Sequence, residues 1–142
     1  MPQDANTDEE IESCFDVMSE LRPHLGRDEF LATIRHMQAE GYRLAFMREN
    51  KRVVAVAGYR ILTSLLMGKH LYIDDLVSSV DSRSKGLGEE MIEWLRARAR
   101  ENGCDYIHLD SGIQRDRAHK FYFTQGFSIV FYHFSEKLND RT

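Results

Sequence analysis

Residues 83–88 read Arg83-Ser84-Lys85-Gly86-Leu87-Gly88, between a stretch of strand propensity and the start of an amphipathic helix. Two glycines let a backbone approach a ligand without Cβ obstruction. The first amides of a helix have no intrahelical acceptor, so they can point at an anion. Arg83 and Lys85 add mobile positive charge. Such a turn suits a pyrophosphate, the helix dipole adding about 0.3–1 kcal/mol to the hydrogen bonds. It lacks the Gly-Lys-Ser/Thr of a Walker A loop and the Gly-x-Gly-x-x-Gly of dinucleotide folds. Taken alone, the two glycines are as readily an ordinary tight turn, and the flanking pattern has to decide.

Downstream, Leu87, Met91, Ile92, Leu95 and Ala99 recur on one helical face over residues 88–102, with Gly103 just past the end. Residues 104–110 read as a strand, 115–125 as a last helix stopped by Gly126, and 127–134 as an apolar strand. Upstream, residues 71–79 have strand propensity but carry adjacent Asp74 and Asp75. Residues 42–48 and 52–62 form an expected antiparallel hairpin turned by Glu49-Asn50-Lys51. Before it lie two expected helices. The first opens on the capping box Thr7/Glu10 and ends before Pro23; the second spans about residues 28–40 and stops at Gly41. A strand, a crossover helix and a further strand imply one parallel, right-handed pair in a sheet whose earlier part is antiparallel. The expected fold class is therefore mixed α/β, with about four flanking helices.

The chain has 142 residues, 42% hydrophobic, and no long linker, which fits one domain over residues 1–142. A net charge of −4 has the wrong sign for holding nucleic acid through an overall field and mildly favours a cationic substrate. No apolar run is long enough to span a membrane and the first residues do not resemble a secretion signal, so a cytoplasmic protein is expected. Cys14 and Cys104 read as reduced core residues. His24, His36, His70, His108, His119 and His133 show no paired metal-ligand spacing, so no metal is expected. Arg96, Arg98 and Arg100 read as a solvated helix face, and Trp94 and Tyr106 as packing residues.

Arg83-x-x-Gly86-x-Gly88 between a strand and a helix, followed by Ala118-His119-Lys120-Phe121-Tyr122 and then Gly126-Phe127, resembles the signature of the GNAT (Gcn5-related N-acetyltransferase) family. The likeness extends over roughly residues 42–138. It implies a mixed, mostly antiparallel sheet whose fourth and fifth strands splay apart, leaving a slot for the pantetheine arm of acetyl-CoA. Leu76, Val77 and Ser78 would be its backbone partners. The amides of Ser84, Lys85, Gly86, Leu87, Gly88 and Glu89, with the side chain of Arg83, would hold the pyrophosphate. The backbone N–H of Leu76 would polarise the thioester carbonyl, a contribution on the order of 3 kcal/mol for such a donor. Tyr122 matches the family tyrosine near the coenzyme sulfur, where a protonated phenol can donate to the departing thiolate. Arg115, Ala118 and Phe121 would line the coenzyme. Arg115 is a departure, because many relatives carry asparagine there. The segment before Thr7 is short for the usual first strand, which predicts an abbreviated or absent strand, with part of the substrate wall either missing or supplied by a second copy in a homodimer.

The attacking amine must first lose a proton, so a carboxylate or a water chain is needed near the acyl carbon. Side chains alternate along a strand, which predicts that Asp74, and not Asp75, shares a side with Tyr72 and Leu76. Asp74 is therefore the expected base or amine anchor and Asp75 the second substrate-side acid; a helix cap or an arginine pair is the competing role for each. No covalent intermediate is required, because a thioester transfers its acyl group directly. The implied function is acetyl transfer from acetyl-CoA to a primary amine, such as a polyamine, an aminoglycoside or a lysine side chain, in a ternary complex. The alternative is a non-catalytic acyl-CoA-binding sensor.

Overall fold

The computed structural model describes residues 1–82 and 85–140. The chain divides into two compact units, Met1–Leu109 and Asp110–Thr142. In the first, β1 (Gln3–Asp4) is followed by α1 (Asp8–Ser13), α2 (Phe15–Leu21) and α3 (Arg27–Ala39). Then come β2 (Arg43–Glu49), β3 (Arg52–Ser64), β4 (Gly68–Ser78), a 3-10 turn (Val80–Ser82), α4 (Leu87–Glu101) and β5 (Tyr106–Leu109). The second unit holds α5 (Asp116–Thr124).

The capping box is formed: Glu10 N–H donates to Thr7 Oγ1 at 3.1 Å, and Thr7 N–H donates to Glu10 Oε1 at 2.9 Å. The backbone N–H groups of Thr7 and Asn6, both donating to Oε1, hold the Glu10 carboxyl below its usual range. The expected first helix is interrupted at Cys14, giving α1 and α2. The β2–β3 hairpin turns through Asn50 and Lys51, both at positive φ (51° and 69°), the two-residue geometry that matches strand twist.

The sheet order is β1-β2-β3-β4-β5, antiparallel except for the parallel β4–β5 pair. β1 is the abbreviated first strand. β3 is buried without interruption from Val53 to Tyr59, as a strand covered on both faces must be. On one face Tyr42, Leu44, Phe46 and Val56 pack with Ile11, Cys14, Val17, Met18, Phe30 and Ile34 of the first three helices. On the other, α4 buries Leu87, Met91, Ile92, Leu95 and Ala99, and Trp94 stands edge-on to Tyr59 of β3.

Three expectations need correction. Residues 127–134 are assigned no strand, because a strand exists only against a partner and none is assigned to them. Arg98 does not belong to a solvated face: it bonds Asp4 at 3.0 Å and lies over the Trp94 ring. Tyr106 is 54% exposed instead of packed. Cys14 is buried and Cys104 half-buried, both as free thiols. Among the described residues, no helix is long and apolar enough to cross a membrane.

Candidate active site

The parallel ladder between β4 and β5 runs only from His70↔Tyr106 to Ile73↔Leu109, whereas β4 continues along β3 to Ser78. Past Ile73, one edge of β4 is therefore left by β5. Ser79 N–H donates to Val54 O at 2.7 Å, on the β3 side. Strand amides alternate in direction, so Val77 N–H also faces β3 and Leu76 N–H faces the edge that β5 has left.

Close in sequence stands the N-terminus of α4. Its cap, Gly86, has φ +74°, a left-handed conformation that glycine adopts without strain. A Cβ at Gly86 would meet nothing within 4 Å, so conformation and not crowding calls for glycine there. Among the described residues no side chain caps the helix, so none of them answers the amides of Leu87, Gly88 and Glu89. Lys85 is exposed, with Nζ 3.6 Å from Glu49 Oε1. Arg83 and Ser84 lie outside the described residues.

Asp74 and Asp75 do not alternate across the sheet. Gly58 pairs with Asp75 and Tyr59 with Ile73, so Asp74 is an extra residue, a bulge in β4. Arg60, two residues along β3 from Gly58, donates to Asp74 through Nε (2.8 Å) and Nη2 (2.9 Å). Asp75 accepts from Arg22 Nε at 3.0 Å and from the Tyr42 hydroxyl at 2.8 Å. Arg22, the residue that ends α2, also donates to the Asp74 carbonyl at 3.0 Å. Both carboxylates thus reach the same face, that of the first three helices, and each is held by an arginine. The strict alternation expected from sequence fails because the bulge resets it.

Gly58 makes this arrangement sterically feasible. A Cβ there would lie 1.8 Å from Tyr42 Oη and 2.6 Å from Asp75 Oδ2, so only glycine lets the tyrosine cross β3. Burial pushes the Tyr42 phenol well above its usual range, and the Asp75 carboxylate adds to the shift. The hydrogen bonds to Asp74 hold the Arg60 guanidinium above its ordinary value.

The same face carries residues to which sequence reasoning gave no role in the site. Arg60 lies over the Tyr72 ring, 5.3 Å from its centroid, and Tyr72 meets His108 edge-on at 5.0 Å. His108 Nε2 is 2.6 Å from Nδ1 of the buried His70. Arg22, Tyr42, Arg60, His70 and His108 form no local motif; only strand register brings them together.

In the second unit, α5 follows its N-cap Arg115 and carries Ala118 and Phe121, both half-buried. Tyr122 stands edge-on to Phe121 and Phe127, at 5.5 and 5.9 Å. Burial raises its phenol above the usual value, partly opposed by the positive charge of Arg115, so it keeps its proton at neutral pH. Among the described residues, no three His, Cys, Asp or Glu side chains come together to hold a metal.

The sequence model of the acetyltransferase (GNAT) family matches residues 7–127. An uncharacterized N-acetyltransferase of Bacillus subtilis, YhdJ, is 37% identical over 128 residues, covering 89% of this chain and 90% of that protein. The aminoalkylphosphonate N-acetyltransferase of Salmonella typhimurium is 29% identical over 132 residues, covering 88% and 80%. Glucosamine-6-phosphate N-acetyltransferase from Arabidopsis thaliana superposes with a TM-score of 0.78 at 19% identity over 98% of each chain, a likeness of fold.

Proposed function

Because the chain belongs to the acetyltransferase (GNAT) family, whose acyl donor is acetyl-CoA, we propose that it moves an acetyl group to a primary amine by direct attack in a ternary complex. The observation that carries this is the outward N–H of Leu76 on the β4 edge that β5 leaves, with the uncapped amides of α4 following in sequence. An extended pantetheine arm can pair with such an edge as an added strand does. Its pyrophosphate suits the helix N-terminus. We take residues 1–142 as one catalytic domain and a homodimer as the acting species. Two free thiols agree with a reducing cytoplasm.

In the step itself, the neutral amine attacks the thioester carbonyl carbon, with the Leu76 N–H donating to the developing oxyanion. The carbon–sulfur bond breaks, and Tyr122 gives its proton to the departing thiolate. The proton lost by the amine leaves through water and later restores the phenol. Asp74, with both oxygens engaged by Arg60, serves as an anchor for the ammonium form in preference to a base. Each oxygen keeps a lone pair for a further donor. The acceptor is an amine of a small molecule or peptide. Because Arg22 and Arg60 balance the two carboxylates locally, the site selects by directed hydrogen bonds more than by net field.

Initial rates of thiol release, with acetyl-CoA and each of a panel of primary amines varied together, test the order of events. Direct attack gives intersecting reciprocal lines. Parallel lines would require an acetyl-enzyme and would contradict the proposal. Binding without turnover on any amine would instead describe an acyl-CoA sensor.

A further inference from the structure

Arg22 and Arg60 both bond Asp74, one at its carbonyl and one at its carboxylate. Arg22 spends Nε on Asp75 (3.0 Å) and Nη2 on the Asp74 carbonyl (3.0 Å), whereas Arg60 spends Nε and Nη2 on the two Asp74 carboxylate oxygens (2.8 and 2.9 Å). Among the described residues, Nη1 of neither arginine has a hydrogen-bond partner, and no buried side-chain nitrogen or oxygen lacks one, so both Nη1 groups reach solvent. Each guanidinium therefore keeps a free edge, Nη1 with the second hydrogen of Nη2. That edge has the shape that grips a carboxylate or a phosphate through two parallel bonds.

Both edges are held in place before any ligand arrives. Arg22 stands at the end of α2 and is fixed at Nε and Nη2; Arg60 is fixed at the same two atoms and also lies over the Tyr72 ring, 5.3 Å from its centroid. Donors fixed in advance lower the ordering cost of binding. The arginine side chains stay open, 40% and 37% exposed, while the carboxylates of Asp75 and Asp74 are 12% and 24% exposed. Charge balance then selects among amines. Two arginines against two aspartates leave the group neutral, and the Tyr42 hydroxyl adds a donor without charge. A polyamine would bring positive charge to carboxylates already paired and set its second ammonium beside guanidinia, a like-charge contact. An amine with an anionic group a few bonds from its nitrogen avoids that conflict. Its ammonium takes the remaining lone pairs of Asp74, its anion takes a free arginine edge, and the group stays neutral.

We infer that this face binds a short zwitterionic amine, whose carboxylate, phosphate or phosphonate docks on the free guanidinium edges of Arg22 and Arg60 while its nitrogen sits on Asp74. Asp74 lies two residues before Leu76 on β4, so the nitrogen is held next to the edge proposed for the acyl donor. The inference deepens the acetyl-transfer reading and rests on it for the fate of the nitrogen, not for the binding.

Calorimetric titration of the full-length protein tests it, with β-alanine, aminoethylphosphonate and phosphoethanolamine compared against propanolamine and diaminopropane, which match them in length but lack the anion. At least one zwitterion is expected to bind about 10- to 100-fold more tightly than either control, the worth of a charge-assisted hydrogen bond, and the tightest of the three identifies the oxyanion. Equal or tighter binding of a control, or no binding by any of these amines, would overturn the inference whatever the turnover. Arg22→Lys and Arg60→Lys keep the charge and lose the fork, so the ratio of zwitterion to propanolamine affinity is expected to fall about 10-fold in each. A merely structural role would weaken all the amines alike, and an unchanged ratio in both folded variants would overturn the inference. Preferential binding of a zwitterion without thiol release from acetyl-CoA would support the inference and remove the acetyl-transfer reading instead.

Discussion

Arg60 holds Asp74 through two hydrogen bonds, Nε to Oδ2 at 2.8 Å and Nη2 to Oδ1 at 2.9 Å, on a face that a bulge in β4 has turned toward the first three helices. A guanidinium on both oxygens orients a carboxylate and leaves it acceptor-only. If Asp74 anchors the amine, removing its charge should be felt by the acceptor alone. For Asp74→Asn, kcat/KM for the amine is expected to fall about 10- to 100-fold, corresponding to a lost charge-assisted hydrogen bond of about 1.5–3 kcal/mol. Acetyl-CoA affinity should stay unchanged. Arg60→Gln should reproduce most of the loss, and the double variant should be little worse than either, because the two act as a unit. Additive losses would separate them.

Gly58→Ala tests the packing beneath that pair. The new methyl would collide with Tyr42 Oη and Asp75 Oδ2, so the tyrosine must withdraw or β3 must shift. Urea unfolding is expected to show a loss of about 1–3 kcal/mol, typical of an overpacked core. A variant as stable as the parent would mean that Tyr42 does not cross β3.

Much of the first unit was legible in the sequence because its signals are local. Thr7 and Glu10 announced the first helix, Asn50 and Lys51 the hairpin turn, and the 3.6-residue recurrence from Leu87 to Ala99 the face of α4. What stayed hidden depends on register. The bulge at Asp74 exists only in the pairing of β4 with β3, so alternation along the strand put the two aspartates on opposite faces. Arg22 reaches Asp75 across 53 positions, a pairing no spacing rule contains. Residues 127–134 have a strand's composition, but composition does not say which edge, or whose, completes the strand.

Cys14 makes the stability pH-dependent. Burial pushes its thiol from about 9 up to about 12, and a group raised on folding contributes stability that is lost as pH rises through that window. In a Cys104→Ser background, unfolding free energy is expected to decline by up to about 1.4 kcal/mol per pH unit once pH exceeds 9. Cys14→Ala should remove most of that slope near pH 9, leaving the share of the raised tyrosines Tyr42, Tyr59 and Tyr122, which grows as pH approaches 10. The same slope in both proteins would show that the thiol is not the cause.

Tyr122→Phe removes the proposed acid while keeping the ring between Phe121 and Phe127. Turnover is expected to fall about 100-fold, in line with the loss of a general acid, with acetyl-CoA affinity unchanged. Because the phenol's pKa is raised, wild-type activity should show no falling limb from this group below pH 10. Equal turnover in the two proteins would remove the assignment.

The most direct test of the central claim is calorimetric titration of the purified protein with acetyl-CoA, with ATP and NAD in parallel, and of the folded Gly86→Asp variant with acetyl-CoA. The account predicts micromolar binding of acetyl-CoA by the wild type, none of comparable strength by the other nucleotides, and loss of binding in the variant, where bulk and negative charge meet the pyrophosphate. Absence of acetyl-CoA binding by the wild type, or undiminished binding by Gly86→Asp, would contradict it.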